Sequence, residues 1–504
     1  MNYSIAIIEE QNEVLKRHLI RADGQEDLCF ALYNISTSHK GLTAVITQVI
    51  YPKHGDRNIH GNVSFNAAFY DRVTALALKE KCGICFIHNH PANGWQGMSK
   101  DDINAENMLA PRVKATTSLP LVGLTLSQDG IWSGRFWIKE APKTYVRHFC
   151  AQIRVVGKRL DISYYDELLP PVMFGNEFTR TISAWGDKKQ SDLSRLRVGI
   201  VGLGSVGSIV AEALVRTGIM HISLIDFDIV EAKNLDRLQG IKPTDVGSLK
   251  VSAVQRYLQS ISIEPQICIE AYPFSIAEDI GLKAALDCDV IFSCVDRPWP
   301  RYILNCISYA NAIAIIDGGI DASANKTRSN LDQARWKSHA ISPGRACLCC
   351  LGQYRPEDVA LEQSGLLEQP HYIQNLPMDH FANRGENVFA FSLSLAGMEM
   401  QQFLSLILQP KGQYCGPKEY HFNSGTIDSD FDFNCKEKCI FPQIIISQGD
   451  KINSSLISKH LIAEQSRNQV IDLKIDVQRE KAKWDFYYAK TIILKIIDKC
   501  KSIF

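Results

Sequence analysis

The sequence predicts an α/β protein made of two units in tandem, a mixed α/β unit followed by a doubly wound parallel sheet. Three observations carry this. Strand-like and helix-like segments alternate over residues 1–140; a GxGxxG loop near residue 202 falls between a strand pattern and a helix pattern; strand–helix units then repeat. At 504 residues the chain has room for two to four domains. Its 45% hydrophobic and 22% charged residues are those of a globular chain. Formal net charge is zero, so no global field draws the chain to nucleic acid or anionic lipid, and neither is expected as a partner. No apolar stretch approaches the ~20 residues of a membrane span. The opening MNYSIAIIEEQNEVLKR has no basic region before an apolar run. Fifteen cysteines in that context point to reduced thiols, metal ligands or a reactive thiol, and to the cytoplasm.

In the first unit (1–140), Cys29–Ile35 and Leu42–Val49 read as strands and Ala67–Lys79 as a helix. Gly83–His88 is a continuous apolar run, a buried strand ending at histidines. Ser99-Lys100-Asp101-Asp102 starts a helix, with Ser99 as cap and acids in the first turn. Leu119–Leu126 and Ile131–Ile138 pair as a hairpin around Asp129-Gly130.

Residues 141–175, with Pro170-Pro171, read as a connector. The second unit (176–440) opens near a charged stretch, Asp187–Arg195. Arg197–Val201, His221–Ile225, Val290–Cys294 and Ala312–Ile316 are then strands, Ser205–Arg216 a helix, and Asn387–Leu408 a later helix. Residues 441–504 carry no motif; Trp484–Phe504 mixes lysines with isoleucines and is expected as a docked amphipathic helix.

Two constellations carry chemistry. His88 and His90, one residue apart at a strand end, point to one side because side-chain direction repeats every two residues. Asp102 in the next helix supplies an oxygen, completing the three protein ligands of a catalytic zinc. Ser99 is placed to hold a developing oxyanion. A carboxylate must take the water's proton, and Glu26 is the candidate, although Asp27 adjoins it and no fixed spacing separates the two. The bland alternative is a proline-rich loop with solvated histidines and a capping serine.

His88-Asn89-His90-Pro91, Ser99 and Asp102 resemble the JAMM motif of the JAB/MPN metalloprotease family. The resemblance implies isopeptidase or peptidase action on a ubiquitin-like C-terminus, with His88, His90 and Asp102 on zinc and Glu26 as general acid/base. Many deubiquitinating members have Ser or Thr where this chain has Asn89, and His-Asn-His-Pro also resembles the RadC-like branch of that fold.

The second constellation is Gly202-Leu203-Gly204-Ser205-Val206-Gly207, whose backbone amides at a helix start suit an anion. Asp226 ends the next strand, where a ribose-binding acid is expected. Arg237, Lys250 and Asp296 follow; two cations and a carboxylate suit a triphosphate with Mg²⁺ better than a nicotinamide. About residues 176–440 resemble the ThiF/E1-like adenylating superfamily, of Rossmann-like fold. The resemblance implies that Gly202, Gly204 and Gly207 line the ATP loop, Asp226 binds ribose, Asn234 borders the nucleotide, Arg237 and Lys250 contact phosphates, and Asp296 binds Mg²⁺. Arg180 occupies the place of an N-terminal arginine that often enters a partner subunit's site, implying a homodimer.

Cys347, Cys350, Cys435 and Cys439 form two separated pairs that suit a structural zinc, with three intervening residues in the second pair. Cys349 is then left over as a candidate thioester thiol or a spare thiol, and the expected crossover loop, about Gln353–Glu386, holds no cysteine.

The whole chain thus resembles prokaryotic fusions of the two families. That implies processing or removal of a ubiquitin-like modifier with a Gly-rich tail and ATP-dependent adenylation of the tail, with an E2-like conjugating enzyme as a further partner, in some cases within phage defence. Sulfur-carrier activation and a scaffold with one degenerate site are the alternatives.

Overall fold

The computed structural model describes residues 1–60, 62–324, 330–374, 387–409, 415–430 and 434–471. The helix expected over Trp484–Phe504 and the end of the expected crossover loop lie outside them. Among the described residues no helix is long and apolar enough to cross a membrane.

The first unit contains β1 (Asn2–Ile8), α1 (Glu9–Leu19), β2 (Leu28–Thr37), β3 (Gly41–Ile50), the small ribbon β4 (Arg57–His60) and β5 (Asn62–Phe65), and α2 (Ala67–Glu80). It continues through β6 (Gly83–Asn89), α3 (Lys100–Thr117), β7 (Leu121–Leu126), β8 (Trp132–Ala141), β9 (Thr144–Phe149), β10 (Gln152–Val156) and β11 (Leu160–Tyr164). All but β4 and β5 form one nine-stranded sheet in the order β11-β10-β1-β3-β2-β6-β7-β8-β9. α2 starts where Asn66 accepts the Phe69 N–H (2.9 Å). α3 starts at a capping box between Ser99 and Asp102. One face of the sheet packs with Leu15 and Leu19 of α1; the other buries Phe69 and Val73 of α2 and Leu109 and Val113 of α3. β6 lies between β2 and β7 with all seven residues buried, as an apolar run covered on both faces should be.

The sheet does not end at residue 140. The stretch expected as a connector holds β9, β10 and β11, and β10 pairs parallel with β1. Its sequence hides this: Gln152 and Arg154 are polar yet buried, because their partners lie in the other unit. Gln152 donates to Asp289, and Arg154 donates to the carbonyls of Ala312 (3.0 Å) and Asn311 (3.1 Å).

The second unit runs α4 (Thr179–Trp185), α5 (Asp187–Ser194), β12 (Arg197–Val201), α6 (Ser205–Thr217), β13 (His221–Ile225), α7 (Lys250–Ile261), β14 (Cys268–Tyr272), α8 (Asp279–Leu286) and β15 (Val290–Ser293). Then come α9 (Pro298–Asn311), β16 (Ala314–Ala324), β17 (Leu331–Ile341), α10 (Pro356–Gln363), α11 (Pro370–Gln374), α12 (Phe389–Leu408), β18 (Lys418–His421), β19 (Thr426–Ser429) and α13 (Asp450–Leu456). Its sheet order is β14-β13-β12-β15-β16-β17-β18-β19, parallel through β16 and antiparallel beyond. The strand order reverses between β12 and β15, and ligands of such sheets bind in the crevice at that reversal.

The two units share a core: Ala6, Val45 and Val156 of the first cluster with Leu193, Val198 and Leu214 of the second. A return segment pins them from the other side. The Ser447 and Gly449 N–H groups donate to the Tyr309 and Ala310 carbonyls (both 2.9 Å). Asn34 Nδ2 donates to the Ser447 carbonyl (2.9 Å), and Asp450 accepts from the Thr37 amide (2.9 Å) and hydroxyl (2.6 Å).

Candidate functional sites

The end of β6 and the start of α3 bring His88, His90 and Asp102 together. Their Nε2 atoms stand 3.2 Å apart, and Asp102 oxygens lie 3.4 Å from His88 Nε2 and 3.3 Å from His90 Nε2. A tetrahedral ion with bonds of about 2.0–2.1 Å sets its ligands about 3.3–3.4 Å apart, so this donor set fits zinc. Burial, with the nearby Arg135 charge, pushes His88 down to about 3 and leaves it a neutral ligand. Burial opposes ionisation of Asp102, but the His90 hydrogen bond, His88 and Ser99 hold its carboxyl well below the usual range. The hydrogen bond to Asp102 raises His90.

Ser99 accepts the Asp102 N–H (3.1 Å), while the Asp102 carboxylate accepts the Ser99 N–H (2.8 Å). The cap that starts α3 therefore also aims the ligand. Ser99 is exposed, and its hydroxyl proton can be donated to an incoming oxyanion.

The structure separates the two adjacent acids. Asp27 is buried and pairs with Arg57 (2.8 Å) and Arg21 (3.3 Å), and it accepts the Leu28 N–H (2.7 Å). Glu26, half-buried, lies within electrostatic reach of His90 and Asp102; burial raises its pKa, His90 opposes the rise and Asp102 adds to it. Asn89 sets this arrangement: its Oδ1 accepts the Asp27 N–H (2.7 Å), and its own N–H donates to the Asp27 carbonyl (3.3 Å). Lying between the histidines, it faces away from them and ties down the segment that carries Glu26.

Sequence reasoning missed the polar network beside His88. Thr125 Oγ1 lies 3.5 Å from His88 Nε2 and accepts from Arg135 (2.6 Å). Buried Arg135 pairs with buried Glu106, which also accepts the Trp137 indole N–H (2.6 Å). Only a lone acid at an apolar position of α3 hinted at this network.

The second constellation assembles at the reversal point. Gly202 has φ +90°, a left-handed conformation that favours glycine. A Cβ at Gly207 would collide with the Gly202 carbonyl, while Gly204 faces open space. Ser205 Oγ, at the start of α6, is buried with no hydrogen-bond partner. This cradle with one orphaned hydroxyl fits a phosphate at a helix N-terminus. Asp226 at the end of β13 accepts the Leu203 N–H (2.6 Å) and the Asp228 N–H (2.7 Å), tying the loop to the strand. Buried Lys250 donates to Asp228 (2.7 Å); burial lowers its pKa, but Asp226, Asp228 and Asp296 together raise it. Asp296, exposed just past β15, is open to a cation.

Other expected residues are engaged with neighbours of their own. Asn234 is buried, and its Oδ1 accepts the Glu231 N–H (3.0 Å), so its amide braces a turn. Arg237 donates to the Lys233 carbonyl (2.6 Å) and pairs with Asp236 (2.9 Å); its segment meets α6 where the Gln239 N–H donates to Ser208 (3.0 Å). Arg180 is exposed on α4 and is bonded to none of the nucleotide-site residues.

Cys347, Cys350, Cys435 and Cys439 have sulfurs within 4.8 Å of one another. Cys347 and Cys439 sulfurs are 3.6 Å apart, close to the ~3.8 Å edge of a tetrahedron with Zn–S bonds of about 2.3 Å. The amides of Cys347, Cys350 and Lys436 donate to Cys435 (3.2 Å), Cys347 (3.4 Å) and Cys350 (3.3 Å), as thiolates holding a metal require. The wider second spacing therefore closes the same cluster. Cys349 stays outside it, partly buried, with its pKa raised by burial.

Fold and cradle define a nucleotide-binding domain of doubly wound topology, joined to a unit whose donor set fits a metal. The ThiF family model matches residues 178–424, just under half of the chain, and this stretch is a ThiF/E1-like adenylyltransferase domain. The chain is similar to ubiquitin-like modifier-activating enzyme 5 of Drosophila willistoni, 29% identical over 200 residues, covering 37% of this chain and 47% of the relative. It is also similar to the adenylyltransferase and sulfurtransferase UBA4 of Candida glabrata, 25% identical over 303 residues, covering 57% and 66%. The chain thus spans about half to two thirds of these curated relatives. Among solved structures, E. coli MccB with ATP is 19% identical, covering 53% of this chain and 74% of that chain at a TM-score of 0.39.

Proposed function

We propose that the chain is a bifunctional enzyme of a ubiquitin-like modifier pathway. The first unit hydrolyses a bond at the modifier's C-terminus, by trimming or deconjugation, and the second adenylates the exposed carboxylate. The observation that carries this reading is the pairing, within one jointly packed body, of a zinc-fitting triad within electrostatic reach of Glu26 and a nucleotide cradle of the ThiF family.

His88, His90 and Asp102 would hold zinc, which would supply Lewis acidity at the scissile carbonyl and the attacking water. Glu26, its pKa raised by burial, takes a proton from the attacking water and returns it to the leaving amine. The Ser99 hydroxyl donates to the oxyanion. In the second unit, a modifier carboxylate oxygen bonds to the α-phosphorus of ATP as the bond to pyrophosphate breaks. Lys250 and Arg237 neutralise the developing charge, and Asp296 would hold Mg²⁺. A homodimer in which Arg180 reaches the partner's site, and an E2-like acceptor, complete the reading.

A second reading is supported by the similarity to UBA4, whose name includes sulfurtransferase, and by the lack of cysteine over 353–374. There the adenylate of a sulfur-carrier-like protein feeds thiocarboxylate formation. The test is a paired assay: cleavage of a C-terminally extended modifier and modifier-dependent ATP–pyrophosphate exchange. Glu26→Gln should abolish cleavage and spare exchange, whereas Asp296→Ala and Arg237→Ala should do the reverse. Loss of both activities in each variant would refute two separate sites. Recovery of modifier thiocarboxylate instead of an enzyme-linked thioester would select the second reading.

A further inference from the structure

The chain beyond the matched domain returns to the ends of β13 and β14. After α13, residues 457–460 run without regular structure and 461–471 are helical. The Ser458 N–H donates to the Ala277 carbonyl (2.8 Å). Arg467 donates to the Pro273 carbonyl (2.9 Å), pairs with Glu278 (2.6 Å) and lies 4.3 Å from the Phe274 ring centroid. His460 is set between two rings, with centroids 4.6 Å from Phe227 and 5.8 Å from Trp299, the latter stacked at 18°. Its Nδ1 accepts the Ala463 N–H (3.2 Å), so the start of the helix fixes the ring.

These partners belong to the loops that follow β13 and β14 and to the first turn of α9, beyond β15. Phe227 separates Asp226 from Asp228, Pro273 and Phe274 follow β14, and Trp299 lies three residues past Asp296. With phosphates at α6 and ribose at Asp226, the base of a bound nucleotide extends away from the glycine loop over the ends of β13 and β14. The returning segment lies there.

We infer that residues 457–471 wall the base end of the nucleotide site, and that His460 is a positioning residue. Packed between Phe227 and Trp299, it fixes the ring that follows the ribose-binding Asp226 and so shapes the wall met by the base. This rests on the adenylation reading and extends it to a segment outside residues 178–424. The ligand class is the base of a nucleoside triphosphate.

The test uses the full chain, titrated calorimetrically with Mg·ATP and with Mg·tripolyphosphate, which has the phosphates but no base. His460→Ala should weaken ATP binding about tenfold and leave tripolyphosphate binding within about twofold, as only base and ribose depend on the wall. His460→Phe should restore most of the loss. Arg467→Ala, at the other end of the segment, should act in the same sense and serves if His460→Ala does not fold. Unchanged ATP affinity in both alanine variants, or equal loss of both ligands, would overturn the inference. Failure of the wild-type chain to bind ATP would instead remove the adenylation reading itself.

Discussion

Replacing Asn89 by alanine tests whether the residue between the histidines governs the base rather than the metal. Asn89 and Asp27 are both buried, so the 2.7 Å bond from the Asp27 amide to Asn89 Oδ1 is shielded from bulk solvent. A buried amide left unsatisfied costs about 1–3 kcal/mol. The Asp27 carboxylate stays anchored by Arg57 and Arg21, so the strain is relieved most cheaply by moving the neighbouring Glu26 peptide. If that cost is the free energy by which the productive Glu26 position is depopulated, kcat falls roughly 5- to 150-fold. KM and zinc content should be unchanged, because His88, His90 and Asp102 lose no partner. The assay is steady-state cleavage of a C-terminally extended modifier, with zinc measured on the same samples. Wild-type kcat in a zinc-replete Asn89→Ala protein would refute the reasoning, and so would loss of zinc in step with loss of rate.

Two further predictions concern stability and metal content. Asp289 is buried between Arg154 and Arg197 (3.7 and 3.2 Å), and Asp289→Ala should cost about 3–5 kcal/mol in urea unfolding by leaving buried guanidinium charge uncompensated. Burial opposes ionisation of Asp289, but those two arginines hold its folded pKa below the usual value. Its contribution is therefore present above the ordinary aspartate range and disappears as pH falls through the folded pKa, so wild type and variant should converge in acid. Metal analysis should find two zinc ions per wild-type chain, with Cys350→Ser and His88→Ala each removing a different one; equal zinc content in wild type and Cys350→Ser would exclude the cysteine site.

What could be read from the sequence was local. The glycine loop, the strand-end histidines and the cap at Ser99 each rest on residues within a few positions of one another, where spacing and backbone geometry suffice. What could not be read rests on distant pairs. β10 was hidden because Gln152 and Arg154 look like solvent-facing residues until Asp289 is brought to them. The choice between Glu26 and Asp27 needed Arg57 and Asn89, and the Arg135–Glu106 pair joins a strand to a helix 29 residues earlier. Asn234 fits a nucleotide-site pattern, yet its amide is committed to a turn, a distinction that depends on side-chain direction. His460 gave no signal, as its role depends on where the returning chain crosses the sheet.

The clasp between Asn34, Thr37 and the Ser447–Asp450 segment has a consequence for how the protein is made. Its hydrogen bonds join positions 413 residues apart, so synthesis must pass residue 450 before they can form. Contacts of such separation form late, and until then the outer end of β2 stays uncovered while both halves of the chain are already long enough to collapse. The cysteine cluster, closed only by Cys439, is completed a few residues earlier. Closure of the cysteine cluster and of this clasp thus falls within one short stretch of synthesis, after the shared core of the two units has already been made.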